Sequence, residues 1–276
     1  MKWLILQSDG EHAANKHQRE CYGIADALSR IGHDAHIWGK RHHGFHSVPD
    51  FEEFDAIFCA EQYEFEWLPD FTKIKKPLKI QWVIDSHIHS RYAELKGFNI
   101  ALHAIQSRMS GYDCAKNIWF PTAFDQRFHA IEGTPKTREL GFVGSMGGGR
   151  REYVDRLSRD FPCFDYSFTI GNEMYRKIQS FKIHWNLSAS CDINNRTLET
   201  IGMGTCLITN IVPNLIEDLG FIDGENCLLY ESYDECREKI RKTLDDGSYS
   251  EIGRHALKLS HQHTYQKRLE SLIKSL

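Results

Sequence analysis

Between Asp192 and Asn210 the chain reads Asp-Ile-Asn-Asn-Arg-Thr-Leu-Glu-Thr-Ile-Gly-Met-Gly-Thr-Cys-Leu-Ile-Thr-Asn: a polar loop, a short helix, a glycine stop and an apolar strand. Arg196 and Glu199 stand one turn apart near the start of that helix. First-turn amides have no partner within a helix, and the helix dipole favours an anion beside them. A phosphate resting on Arg196, Asn195 and the helix end, with Glu199 accepting hydrogen bonds from sugar hydroxyls, would suit a nucleoside diphosphate and its ribose. The competing account is a solvated i,i+3 pair, worth roughly a few tenths of a kcal/mol.

Three other loops carry chemistry-bearing residues. Gly144-Ser-Met-Gly-Gly-Gly-Arg-Arg151 joins a strand to a helix. Three consecutive glycines, 147–149, remove side chains where an anion would approach, with Gly144, Ser145 and Gly148 as candidate contacts, while Arg150 and Arg151 are cations at a helix start, where they are unfavourable unless something negative binds. A flexible loop with two solvated arginines would read the same way. The spacing is neither that of a Walker A loop nor Gly-x-Gly-x-x-Gly. Asp85-Ser-His87 follows an apolar run and suits general base work or contacts to sugar hydroxyls, with His89 nearby. A helix cap by Asp85 or Ser86 is the alternative. Ser8-Asp9-Gly10-Glu11-His12 follows the first apolar run; Gly10 would admit a close backbone approach, with Glu11 and His12 on an acceptor side, although an ordinary turn fits equally. Asp9 joins Asp85 and His87 as a candidate base. No Asp-x-Asp occurs, so no metal-clamped diphosphate is expected. No Gly-x-Ser-x-Gly elbow occurs either, which disfavours a hydrolase.

The elements that must position these loops alternate along the chain. Strands are expected at Leu4–Gln7, Ala35–Trp38, Ala56–Ala60, Ile80–Ile84 and Ile100–His103, with a helix over Ala14–Ile31. Glu132-Gly-Thr-Pro-Lys-Thr-Arg138 interrupts the pattern and marks a boundary. Strands then recur at Leu140–Val143, Tyr166–Thr169, Ile183–Leu187, Cys206–Thr209 and Cys227–Tyr230. Helices recur at Arg150–Arg159, Glu173–Gln179, Asp234–Leu244, Tyr249–Ser260 and Tyr265–Ser275. Two α/β units in 276 residues predict two Rossmann-like domains facing a cleft, over 1–133 and 134–260, followed by 261–276. A net charge of −4 gives no general attraction to nucleic acid or to anionic membrane. Eight cysteines without a C-x2-C pair read as buried thiols of a reducing compartment, and the amino terminus lacks the apolar core of a signal peptide. A cytoplasmic protein is expected.

Several stretches together resemble GT-B type glycosyltransferases, particularly the spore-maturation (CgeB-like) group and its bacterial and phage relatives. They are Trp82-Val-Ile-Asp-Ser-His87, Trp119-Phe-Pro-Thr-Ala123, Leu140-Gly-Phe-Val-Gly-Ser145, Asn195-Arg-Thr-Leu-Glu-Thr-Ile-Gly-Met-Gly204, Asn226-Cys-Leu-Leu-Tyr230, Asp234-Glu235 and His263-Thr-Tyr-Gln-Lys-Arg268. The resemblance implies a nucleotide sugar, UDP-glucose above others, held mainly by the second domain. Arg196 and residues of Gly144–Arg151 would meet the diphosphate, Glu199 the ribose, and His87 the transferred sugar. Tyr265 would lie on the donor side, at the head of a C-terminal helix that packs back across the domain junction. It also implies no bound cofactor and no metal, since arginine and helix dipole replace a cation. Where many retaining relatives carry Glu-x7-Glu, Cys191 stands at the first position and Glu199 at the second.

The expected function is transfer of a hexose from a UDP-sugar to a hydroxyl of a saccharide, protein, lipid or modified DNA, with retention and without metal. A phage-type enzyme acting on a hydroxymethylated base is the alternative, motivated by the basic stretch from Lys40 to His46 and by Lys73, Lys75, Lys76 and Lys79; a solvated loop explains Lys73–Lys79 as well. A non-catalytic nucleotide-sugar-binding module is the third reading.

Overall fold

A strand buried on both faces carries apolar residues at every position. The first strand, β1 (Lys2–Leu6), does so from Trp3 onward: Trp3 and Ile5 join one core cluster, Leu4 and Leu6 another. β3 (Ala56–Ala60) divides in the same way, with Phe58 on the first side and Ile57 and Cys59 on the second. The computed structural model describes residues 1–61, 63–86, 95–109, 116–131, 133–190 and 192–276. They fall into two units, Met1–Arg127 with Tyr265–Leu276, and Phe128–Thr264.

The first unit adds α1 (Glu20–Arg30), β2 (Asp34–Trp38), β4 (Leu78–Val83), β5 (Ile100–His103) and β6 (Lys116–Trp119). Its strands are parallel in the order β2-β1-β3-β4-β5-β6. The helix expected over Ala14–Ile31 is two pieces, a 3-10 turn at Ala13–Asn15 and α1. The break has a local cause: His17 has φ +62, a left-handed conformation that ends a helix, and its N–H donates to Asp9 Oδ1.

The second unit runs β7 (Arg138–Val143), α2 (Arg150–Asp160), β8 (Phe164–Ser167), α3 (Gly171–Ser180), β9 (Phe181–Trp185), α4 (Asn195–Gly202), β10 (Cys206–Asn210), β11 (Leu228–Tyr230), α5 (Tyr233–Asp246) and α6 (Tyr249–Ser260). Its sheet is parallel in the order β11-β10-β9-β7-β8. The division falls before Phe128, ahead of the expected Gly133, because Phe128 and Ile131 are tied to α3. The Phe128 ring stacks on Tyr175 at 4.3 Å, and Ile131 O accepts from Gln179 Nε2 at 2.8 Å. At the other end His263 Nε2 donates to Leu219 O at 2.9 Å, and α7 (Tyr265–Lys274) is the part that belongs to the first unit. Among the described residues no helix is long and apolar enough to cross a membrane.

Candidate functional site

Open α/β sheets take ligands at the carboxyl ends of their strands, where the strand order reverses. In the second unit the reversal lies between β7 and β9, so the loops after Val143 and Trp185 are the place to look. The glycine-arginine loop is the first of these. Gly148 and Gly149 have φ +64 and +82, and a Cβ on Gly148 would run into that of Ala189, in the loop after β9. Only glycine meets both demands. The two loops are then joined by Arg150, whose Nε donates to Leu187 O at 2.9 Å and whose guanidinium reaches Ser145 Oγ at 3.4 Å.

No side chain caps α2, whose N-cap is Gly149. Its first turn carries Arg150 and Arg151, of which Arg151 is exposed, followed by the exposed Glu152. Burial, with the Arg196 charge nearby, lowers the Arg150 pKa from its ordinary value, while Asp192 partly offsets this. Cations crowded at an uncapped helix start call for an anion.

The α4 end is built differently from the sequence-based expectation. Its amides are not all open: Asn194 Oδ1 accepts from Thr197 N–H at 3.0 Å, an N-cap. Arg196 and Glu199 form an ion pair with side chains 19% and 15% exposed, and Tyr175 donates to Glu199 at 3.4 Å. Glu199 Oε1 therefore lies within reach of a hydroxyl donor already. Asn195 Oδ1 is buried without a hydrogen bond among the described residues.

Beneath this surface is a network that sequence reasoning missed. His184, fully buried in β9, accepts from Val143 N–H at Nε2 (3.0 Å). Its Nδ1 therefore carries the proton and donates to Thr200 Oγ1 (2.9 Å), which donates to Arg196 O (2.6 Å). Burial first, then the charges of Arg196 and Lys136, hold His184 well below the ordinary histidine pKa. This neutral imidazole fixes the end of β7 and the turn carrying Arg196 to one strand. Asn186 and Asn194 exchange amide hydrogen bonds at 3.3 Å alongside it.

In the first unit, Asp9 is buried and ionised. Burial would raise its pKa, but the N–H groups of His17 and Gly10, aided by Tyr22 and His42, lower it on balance. Its loop is held by Asp9 N–H to Lys40 O and Arg41 Nε to Asp9 O, both 2.9 Å. An anion so engaged anchors a loop and is a weak base. Gly10 is required internally, since a Cβ would collide with Asn15 Oδ1 and its carbonyl. Glu11 and His12 are exposed; Glu11 lies 3.6 Å from Arg41, and His12 N–H donates to Asn15 Oδ1 at 3.0 Å. Asp85 is half-buried after β4, its N–H bound to Glu61 Oε2 at 2.6 Å. His87, His89 and Cys191 lie outside the described residues.

Tyr265 is a correction. It is 3% exposed and sits in the core of the first unit. Its ring meets Trp82 edge-on at 6.1 Å, leaves no room for a side chain on Gly23, and its N–H donates to Phe124 O at 3.2 Å. A ring this enclosed holds α7 in place.

Residues 138–274 match the model of a family described as glycosyl transferase-like. No curated protein matches the chain in sequence. Among solved structures, Anabaena HepE in complex with UDP and glucose is similar with a TM-score of 0.70 and 12% identity, covering 100% of both chains. An α-glucosyltransferase in complex with UDP-glucose and DNA containing an abasic site has a TM-score of 0.71 and 10% identity over 100% of this chain and 99% of that one. T4 phage BGT in complex with UDP and Mn2+ has a TM-score of 0.68 and 13% identity over 100% and 99%. At these identities the likeness is one of fold.

Proposed function

We propose that this chain, GT-B in fold and glycosyl transferase-like over residues 138–274, transfers a hexose from a UDP-sugar to a hydroxyl acceptor. The observation that carries the reading is the β7/β9 switch point: Arg150 and Arg151 start the uncapped α2, the charge of Arg196 acts on Arg150, and Glu199 lies one turn beyond Arg196. Cations and helix dipole suit a diphosphate, and Glu199 suits ribose hydroxyls once the incoming phosphate competes for Arg196. UDP and UDP-glucose in structures of the same fold support uridine and glucose as the donor's parts.

The reading includes retention without metal. The arginines can stabilise a leaving diphosphate, which then assists attack from its own face, so no acceptor-side base is required. Thermal-shift titration with UDP, GDP, ADP and CMP and their sugar conjugates, with magnesium and with EDTA, tests the donor reading. A rise selective for uridine nucleotides and indifferent to EDTA supports it. Equal response to all, or to none, removes it.

A further inference from the structure

The first unit's strand order also reverses, between β1 and β3. The charges at this switch point have the opposite sign to those of the second unit. Asp9 follows β1, Glu61 follows β3, Glu20 begins α1 and Asp85 follows β4. Three of the nearby cations are in ion pairs: Arg19 with Glu20 at 3.1 Å, Lys40 and Arg41 with Glu64 at 2.8 and 3.0 Å. Gln7, at the end of β1, bridges Glu20 Oε2 (2.8 Å) and Glu61 O (2.9 Å), so these elements converge on one point.

Glu61 is 5% exposed, and its two oxygens are treated differently. Oε2 accepts the N–H groups of Ile84 and Asp85. Oε1 is equally buried and has no hydrogen bond among the described residues. A buried carboxyl oxygen left alone is a strong signal of a missing partner. Burial, reinforced by the charges of Asp85 and Glu20, raises the pKa to about 7 against the pull of the two amides. Arg19, paired with Glu20, reaches Glu61 at its main-chain carbonyl (3.4 Å), and Tyr63 faces the same group of charges. Near neutral pH the carboxyl can therefore either donate or accept a hydrogen bond, as a hydroxyl partner requires.

On the transferase reading, we infer that the β1/β3 switch point binds a neutral, hydroxyl-rich acceptor of saccharide type, with Glu61 Oε1 bonded to one of its hydroxyls. An acceptor presenting a phosphodiester here would bring its charge against Asp9, Glu20 and Glu61, beside cations already paired with carboxylates.

Transfer of label from UDP-[14C]glucose to a panel of neutral phenyl glycosides and to hydroxymethylated duplex DNA tests this. Wild type, E61Q and E61A are compared, with UDP thermal shifts run alongside. The amide oxygen of E61Q still accepts from Ile84 and Asp85, so this variant keeps the fold where E61A loses the clamp. Expected is transfer to a glycoside, with kcat/KM lowered about tenfold or more in E61Q, and an unchanged UDP shift. Transfer to DNA alone, transfer to no glycoside, or E61Q equal to wild type would each overturn the inference. Absence of a UDP shift in wild type would instead defeat the donor reading on which it rests.

Discussion

At the scale of single residues, the second unit's arginines differ in what they lose by substitution. Arg150 spends one nitrogen on Leu187 O, which spans two loops, and has no carboxylate within salt-bridge range among the described residues. Arg196 is paired with Glu199 and must exchange that partner for phosphate. Arg150→Ala and Arg196→Ala should each weaken UDP binding about 10- to 100-fold, as expected for a charge-assisted bond, read by calorimetry. Near wild-type affinity in both would remove the diphosphate site. Arg196→Ala also leaves Glu199 half-buried and unpaired, so its Tm should fall further than that of Arg150→Ala. Glu61 carries a prediction in pH. A carboxyl raised to about 7 in the folded chain binds protons that the unfolded chain, at its usual 4.5, releases. Its contribution to stability is thus fully present below pH 4.5 and is lost as pH rises to about 7, by up to a few kcal/mol. Chemical denaturation across that window should show E61Q flatter than wild type. Parallel curves would mean that Glu61 ionises normally.

Elements show where the sequence spoke and where it was silent. α6 and β5 are read directly from the sequence because their apolar periods, 3.6 and continuous, are local properties. The gap between the 3-10 turn and α1 is not, since it depends on His17 giving its amide to Asp9. The candidate donor residues of α2 and α4 are legible as loop-to-helix patterns, yet Asn194 as the α4 cap and His184 beneath it are not. Each acts through a partner distant in sequence or specified only by geometry. Glu61 escapes for a related reason: its importance lies in the reversal of strand order beside it, which no stretch of sequence contains. The α4 anchor is testable as an element. Thr200→Val keeps the side-chain shape but leaves His184 Nδ1–H buried with nothing to bond. Stability should drop by roughly 1–3 kcal/mol in urea unfolding, and the KM for donor should rise as the Arg196 turn loosens. Unchanged stability would mean that His184 finds another acceptor and that the network does not position α4.

On the scale of the whole molecule, two sheets of one topology present opposite charge at equivalent places, and the net charge of −4 leaves little attraction for a polyanion. Of the lysines between 73 and 79 that helped to motivate a DNA acceptor, Lys73, Lys75 and Lys76 are exposed, but Lys73, Lys75 and Lys79 already have partners on the chain. Lys79 is buried, its Nζ donating to Ile74 O at 2.6 Å; Lys75 Nζ donates to Thr72 O at 2.6 Å; Lys73 pairs with Asp70 at 3.2 Å. The N–H groups of Lys75 and Lys76 hold the Glu52 carboxylate, both at 2.8 Å, which adds an anion to the same loop. A protein that neutralises six to ten phosphates loses roughly 10³–10⁵ in affinity between 50 and 200 mM salt. Fluorescence anisotropy with a hydroxymethylated duplex should instead show weak retention at low salt and a shallow log–log slope, of magnitude below about 2. A slope of magnitude six or more would mean that cations now paired with carboxylates change partners for phosphates, and the acceptor would then be DNA in spite of the carboxyls at the β1/β3 switch point.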